Sequence, residues 1–410
     1  MTDAPPATQD VRILALIGTG HFLSHFYMLC LPPLFLLWQA EFEVSFAALG
    51  LAIALMSAVT AALQTPVGFL VDKHGAMPYL LGGVLLMALS IAAMAVAPGY
   101  WTIVALAVLS GVGNAVIHPA DYAILGASIH PSRIGRAFAM HTFTGNLGFA
   151  AGPPIMAAML YVMEWRMALG VLGLLGVPVV LAILWQGRIL KDQAKPKDRS
   201  KAGGGRELLL SRPILLFFGF FLLSAMAGSA VYSWSITVLG TLWGTPVAVA
   251  SLALTGYMMG ATGGTLVGGW YADRSSRHLV FITATTSVSA VLLLAMGVVA
   301  MPEWLLPIVA TLSGLAMGSS RTPRDVMLKN AIPPGQMGKV FGFVSSGLPL
   351  GGAITPVPFG WLIDIGLAWM VFPLAAALIV ASLLCMGTAQ EAAREAARAA
   401  ARATEPAPAE

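Results

Sequence analysis

The chain has 410 residues, of which 58% are hydrophobic and 10% charged, with a formal net charge of +4 and a mean hydropathy of +0.83. Soluble domains carry about 25% charged residues, so a single water-soluble core is excluded and lipid has to act as solvent for much of this surface. Apolar runs near 20 residues long fit helices that satisfy their own backbone hydrogen bonds, and they do not fit the short alternating strands of a membrane barrel.

In chain order, the polar start MTDAPPATQD lacks a basic n-region and a cleavage site, so the first span is expected to remain as an anchor. Twelve membrane helices are predicted, at 12–38, 46–70, 77–97, 101–127, 134–162, 166–188, 213–240, 246–271, 279–300, 304–330, 338–364 and 367–387. They divide the chain into a tail (1–11), a six-helix bundle (12–188), a basic linker (189–212), a second bundle (213–387) and a second tail (388–410) that starts helical and ends disordered. Placing both ends in the cytoplasm puts Arg12, Lys73, Arg133, Arg136, the basic residues from Arg188 to Arg212, Arg274, Arg277, Lys339 and the arginines of the C-terminal tail inside. Arg166 is then the basic residue left outside, with Glu41, Glu43, Glu164 and Glu303. This is the positive-inside distribution and predicts an inner-membrane protein with cytoplasmic termini. Cys30 and Cys385 lie far apart in apolar runs and read as small packing residues.

The two halves repeat. GFLVDKHG from Gly68 matches GWYADRSS from Gly269, with Asp72 against Asp273; HPADY matches TPRDV, with Pro119 against Pro323 and Asp121 against Asp325; PSRIGRAF matches PGQMGKVF; and Gly148 and Pro153 match Gly351 and Pro356. All four fall at shifts between 201 and 204 residues. Repeats of six spans are parallel, an architecture that places a transport site between them near the midplane.

The segment Gly68-x-Leu70-x-Asp72-x-x-Gly75, echoed at Gly269-x-x-x-Asp273-Arg274, resembles the loop motif of the major facilitator superfamily, although Ala76-Met77-Pro78 replaces its usual basic ending. The likeness covers nearly the whole chain. It implies an all-α fold of twelve helices in two parallel bundles, alternating access, and a cavity lined by the first, fourth, seventh and tenth spans. It also implies a latch in which Asp72 meets the helix starting near Gly338, and Asp273 the helix starting near Ser132, through the helix dipole. Gly148, Gly152 and Pro153 resemble part of the superfamily's antiporter motif, and small residues at this spacing also pack helices closely. GHFLSHFY and GNAVIHPADYAIL are most similar to fosmidomycin-resistance-type efflux proteins, with His25 where an acidic residue is expected.

Ionisable residues inside spans need a reason, since a charge at the bilayer centre costs about 2.5–3.5 kcal/mol even on lenient scales. His21 and His25 share one face of the first span; His118 and Asp121 are a turn apart in the fourth; Arg321, Arg324 and Asp325 lie in the tenth. The histidines suit proton transfer near neutral pH. Arg321 or Arg324 could bind an anionic group, and Arg321 could equally pair with Asp121. Tyr27, Tyr232, Trp234 and Tyr257 are candidate cavity walls, and Asp364 has no assigned role. His21-x-x-x-His25 lacks a third metal ligand, no phosphate-binding loop is present, and neither a cofactor nor a nucleic-acid partner is expected. The expected function is proton-coupled export of a small organic solute by a monomer that is not an enzyme. The alternatives are proton-coupled uptake of a small organic anion and a transport-derived membrane sensor.

Overall fold

The computed structural model describes residues 7–130, 133–190, 206–332, 340 and 343–403, and every regular element among them is helical. The first half contains α1 (Ala7–Leu29), α2 (Phe35–Phe42), α3 (Phe46–His74), α4 (Met77–Ala93), α5 (Tyr100–Ser128), α6 (Ile134–Val162), α7 (Trp165–Leu174) and α8 (Gly176–Gln186). After the short α9 (Arg206–Leu209) come α10 (Arg212–Trp243), α11 (Val247–Ala272), α12 (His278–Val298), α13 (Leu305–Ser319), α14 (Arg321–Ala331), α15 (Gly347–Ile354), α16 (Pro356–Asp364) and α17 (Val371–Ala403).

By length and composition, nine helices among the described residues are able to cross a membrane. Of the other three expected spans, the fifth is the unbroken α6, and the tenth and eleventh are interrupted. The tenth breaks at Ser320, because Pro323 has no N–H for the Ser319 carbonyl and its ring crowds that carbonyl. Pro119, its counterpart in the repeat, is carried inside an unbroken α5. The first span bends through a 3-10 turn at Pro32–Leu34 for the same reason. Large apolar side chains such as Val96, Trp185 and Leu266 are exposed, as lipid contact requires.

The packing repeats as the sequence does. α3 packs on α5 as α11 packs on α13, and α1 on α6 as α10 on α15; the halves meet where α3 touches α15 and α16 and where α6 touches α11. The α11–α13 contact is a backbone contact. A methyl group at Gly260 would overlap the Thr311 carbonyl, and one at Gly314 would overlap the carbonyl of Tyr257. Such small-residue approaches hold helices together where hydrophobicity cannot, because lipid is as apolar as the helices.

At the end of the bundle opposite the termini, the halves are joined by a carboxylate. Phe46 N–H and Ala47 N–H, the first amides of α3, donate to the Asp364 oxygens at 2.6 and 2.8 Å. Ser45 Oγ accepts the next amide, that of Ala48, at 3.1 Å, so side chains supply the acceptors that the helix itself cannot. Trp234 Nε1–H donates to the Pro356 carbonyl at 3.0 Å, between the rings of Phe35 and Phe46. At the same end Arg166 pairs with Glu41 at 2.9 Å, which answers the one basic residue that the charge distribution leaves there.

Two outcomes follow from this packing. Gly260→Val should lose about 1–3 kcal/mol of stability through overpacking, read as a lower melting temperature of the purified chain, whereas Gly82→Ala, with open space around its site, should not. Asp364→Ala removes hydrogen bonds to a charged group worth about 1.5–3 kcal/mol each, toward the low end at this exposed site. Spin labels at Glu43→Cys and Trp361→Cys, with the native cysteines replaced, should then gain a longer-distance population. An unchanged distance distribution would show that the carboxylate does not hold this end closed.

Candidate functional site

A cavity of about 390 Å³ lies between the halves. The first half contributes Met28, Leu29, Ile53, Ser57, Asn146 and Phe149; the second contributes Tyr232, Tyr257, Met258, Thr262, Arg321 and Arg324, among others. The second, fifth, eighth and eleventh spans therefore help to line it, and no residue of the fourth span does. Its wall is largely apolar on the first half and carries its charge on the second.

Arg321 and Arg324 emerge one turn apart just past the Ser320 break. The Arg324 guanidinium reaches Asp325 at 2.9 Å and stacks on the Phe221 ring at 4.0 Å. Arg321, at the cavity wall, has no hydrogen-bond or ion-pair partner among the described residues. The pairing of Arg321 with Asp121 that the sequence allows is absent, because Asp121 is buried within the first half and held there by a histidine of α6.

That histidine, His141, is a site residue that the sequence reading does not assign. His141 Nε2 lies 2.9 Å from Asp121 Oδ2, and His21 Nδ1 lies 2.8 Å from the His141 carbonyl. Facing a carbonyl, His21 Nδ1 has to carry the proton, which leaves Nε2 as a bare lone pair. The rings of His21 and His141 stack at 3.7 Å, with His25 at 4.5 Å and His118 at 4.9 Å from His21. His21 Nε2, His25 Nδ1, His141 Nδ1 and Asp121 Oδ1 are buried without a hydrogen-bond partner among the described residues. Spacing along α6 carried a signal for His141: with Gly145, Gly148 and Gly152 it falls on one helical face at i, i+4, i+7 and i+11.

The glycines of that face make room for α1. A methyl group at Gly145 would collide with the His21 ring, and one at Gly148 with the Phe22 carbonyl. At Gly152 it would come within 3.0 Å of the Phe26 carbonyl, and Pro153 follows inside α6 without ending it. The histidine cluster thus lies at the seam of α1, α5 and α6, one side chain behind the cavity wall: His25 packs on Phe149 at 4.0 Å, and Phe149 lines the cavity.

Ring nitrogens of His21, His118 and His141 come within 4.8 Å of one another. The donor type suits a transition metal, but the arrangement does not. The His21 and His141 planes are 5° from parallel, so in-plane lone pairs on the two rings cannot converge on one ion. A proton, which needs one lone pair at a time, fits the cluster.

Other expected positions lie elsewhere. Tyr27 is 1% exposed and donates its hydroxyl to the Gly173 carbonyl at 2.9 Å, so it ties α1 to α7 and does not reach the cavity. Trp234 belongs to the closed end, whereas Tyr232 and Tyr257 do line the cavity. Of the latch residues, Gly68 has nothing among the described residues within 4 Å of the place a methyl group would take, Gly75 ends α3 with a positive φ of 90°, and the Asp72 side chain lies outside the described residues. The exposed Asp273 carboxylate has no partner among the described residues, and Arg274 lies over Trp270 at 4.6 Å. Ser132 and Gly338, where the partner helices were expected to begin, are also outside the described residues.

Comparison with known proteins agrees with this geometry. The model of the Major Facilitator Superfamily matches residues 17–242 and again 216–409. The chain is 27% identical over 286 residues to the fosmidomycin resistance protein of Escherichia coli (strain K12), covering 67% of this chain and 68% of that one. It is 26% identical over 377 residues to the uncharacterized MFS-type transporter YfnC of Bacillus subtilis (strain 168), covering 88% of each. Its fold is similar to a bacterial homolog of the human lysosomal transporter Spinster, solved in an inward-facing, unoccupied conformation, with a TM-score of 0.75, 13% identity, and 98% and 100% of the two chains covered. A cavity shared by two repeated helical bundles and a family model that matches both halves lead to one conclusion: the chain is a multi-pass membrane transporter belonging to the Major Facilitator Superfamily.

Proposed function

We propose that the chain is a proton-coupled exporter of a small organic solute, working as a monomer in the inner membrane with both termini in the cytoplasm. The observation that carries this reading is the cavity shared by the two halves, closed at the end opposite the termini by Asp364 and backed by the buried His–Asp cluster. With that orientation the closed end is the external one, and solute enters the cavity from the cytoplasm.

The chemistry is a competition over where charge is tolerated. A proton on His21, His25 or His118 adds a positive charge at the seam of α1, α5 and α6, whereas a proton on the His141–Asp121 pair neutralises its carboxylate; the charged form of each group is cheapest in the state that admits water to the seam. Outward exposure loads the proton and inward exposure releases it. The link to solute is the contact of His25 with Phe149, since a ring that shifts with protonation moves the cavity wall. The two ends alternate as latches: Asp364 on α3 in this state, and Asp72 and Asp273 at the terminus-bearing end in the other. Efflux is favoured over uptake by the name of the Escherichia coli relative.

Proteoliposomes with entrapped pyranine test this reading, using a panel of organic anions, cations and neutral compounds. At least one solute should move against an imposed pH gradient and carry a matching proton signal. Asp121→Asn should reduce that pH-driven movement at least tenfold while leaving solute-for-solute exchange intact, because exchange returns a loaded carrier and needs no proton cycle. Solute movement indifferent to the gradient, or an Asp121→Asn chain that transports as the native one does, would contradict proton coupling through this cluster.

A further inference from the structure

We infer that the solute is an organic anion with one net negative charge, held by Arg321; this rests on the transport reading and names the substrate class of the same cavity. Charge inside the cavity is unbalanced. Among the described residues no Asp or Glu lines it, and the polar side chains of the first half that face it, Ser57 and Asn146, are neutral. Arg324 is already answered by Asp325 at 2.9 Å and by the Phe221 ring. Arg321 has no such answer among the described residues.

A guanidinium without a counter-charge is tolerable while water fills the cavity. It becomes costly when the halves close around a solute and water leaves, because the interaction with a charge strengthens as the local dielectric falls. A solute that brings one carboxylate or one singly charged phosphate-type group removes that cost. Arg offers either group two parallel N–H donors, and the Tyr232 and Tyr257 side chains line the same wall. A cationic solute would double the uncompensated charge, and a neutral one would leave it standing.

The remaining wall sets the body of the solute. Met28, Ile53, Phe149, Met258 and Met317 form an apolar surface, and methionine side chains adapt to varied shapes. A volume of about 390 Å³ is at the compact end of small-molecule pockets, which span roughly 300–1,000 Å³. The ligand class is therefore a compact amphiphile: an aromatic or branched apolar body carrying one anionic group.

Indole-3-acetate, indole-3-ethanol and tryptamine share one body and differ in charge, so they test the assignment on the full-length purified chain. Thermal-shift titration should give a preference of at least tenfold for indole-3-acetate over the other two. Arg321→Gln should abolish that preference, and Arg321→Lys, which lacks the paired donors, should keep only part of it. An equal response to the three probes in the native chain, including none, or an unaltered preference in both variants, would overturn the anion site. Flux of the same probes in proteoliposomes separates this inference from the reading beneath it. An Arg321-dependent anion preference in binding with no flux of any probe would sink transport and leave the site standing. Equal flux of all three in native and Arg321→Gln chains would sink the site and leave transport standing.

Discussion

A polar group enclosed by apolar helices needs a partner, and the rest of this structure follows from how each such group finds one. Unpaired backbone amides at a helix start, imidazoles in a bundle seam and a guanidinium in a cavity all face this constraint. Where the partner is in the same half, the group holds that half together, as Tyr27 does with the Gly173 carbonyl. Where the partner is in the other half, as with Asp364 and the first amides of α3, it fixes a conformation. Where, among the described residues, several lone pairs lack a partner, as in the histidine cluster, or a charge lacks one, as at Arg321, the cost of enclosure is left unanswered.

These three arrangements stand at different distances from the plane between the halves. Asp364 spans it, Arg321 faces the cavity within it, and the histidines lie one side chain behind it. The rigid part of each half is made by close backbone contact, with α13 on α11 and α6 on α1 meeting across glycines. Rocking of such units moves the interface and preserves the interiors. A helix pair in backbone contact has little room to slide, so the movement that the proposed alternating access requires would fall at the α3–α16 and α6–α11 seams, where the halves meet.

Much of the architecture is legible in the sequence, since apolar run length, the repeat near 200 residues and the placement of Lys and Arg are properties of residue type alone. The cavity charges were legible too, because Arg321 and Arg324 are conspicuous in a span. The direction in which a side chain points was not. Each residue turns a helix by about 100°, so the bend at Pro32–Leu34 and the break at Ser320 blur any reading of facing. Tyr27 and Trp234 read as cavity walls from residue type and span alone, yet on the unbroken α1 and α10 the first ties α1 to α7 and the second sits at the closed end. Asp364 and Phe46 are 318 residues apart, and nothing local marks them as partners. His141 was hidden differently, on an apolar span where the glycines of the same face already account for close packing against α1.

Alternating access requires that the cavity open to each side of the membrane in turn. Ser57 lines the cavity, and Ser57→Cys, in a chain with Cys30 and Cys385 replaced by alanine, can be challenged in oriented vesicles with a membrane-impermeant thiol reagent from one side at a time. Alternating access predicts labelling from either side, favoured from the terminus-bearing side in the conformation described, with the balance shifting as pH changes the charge on the histidine cluster. Labelling confined to one side under every condition would contradict it.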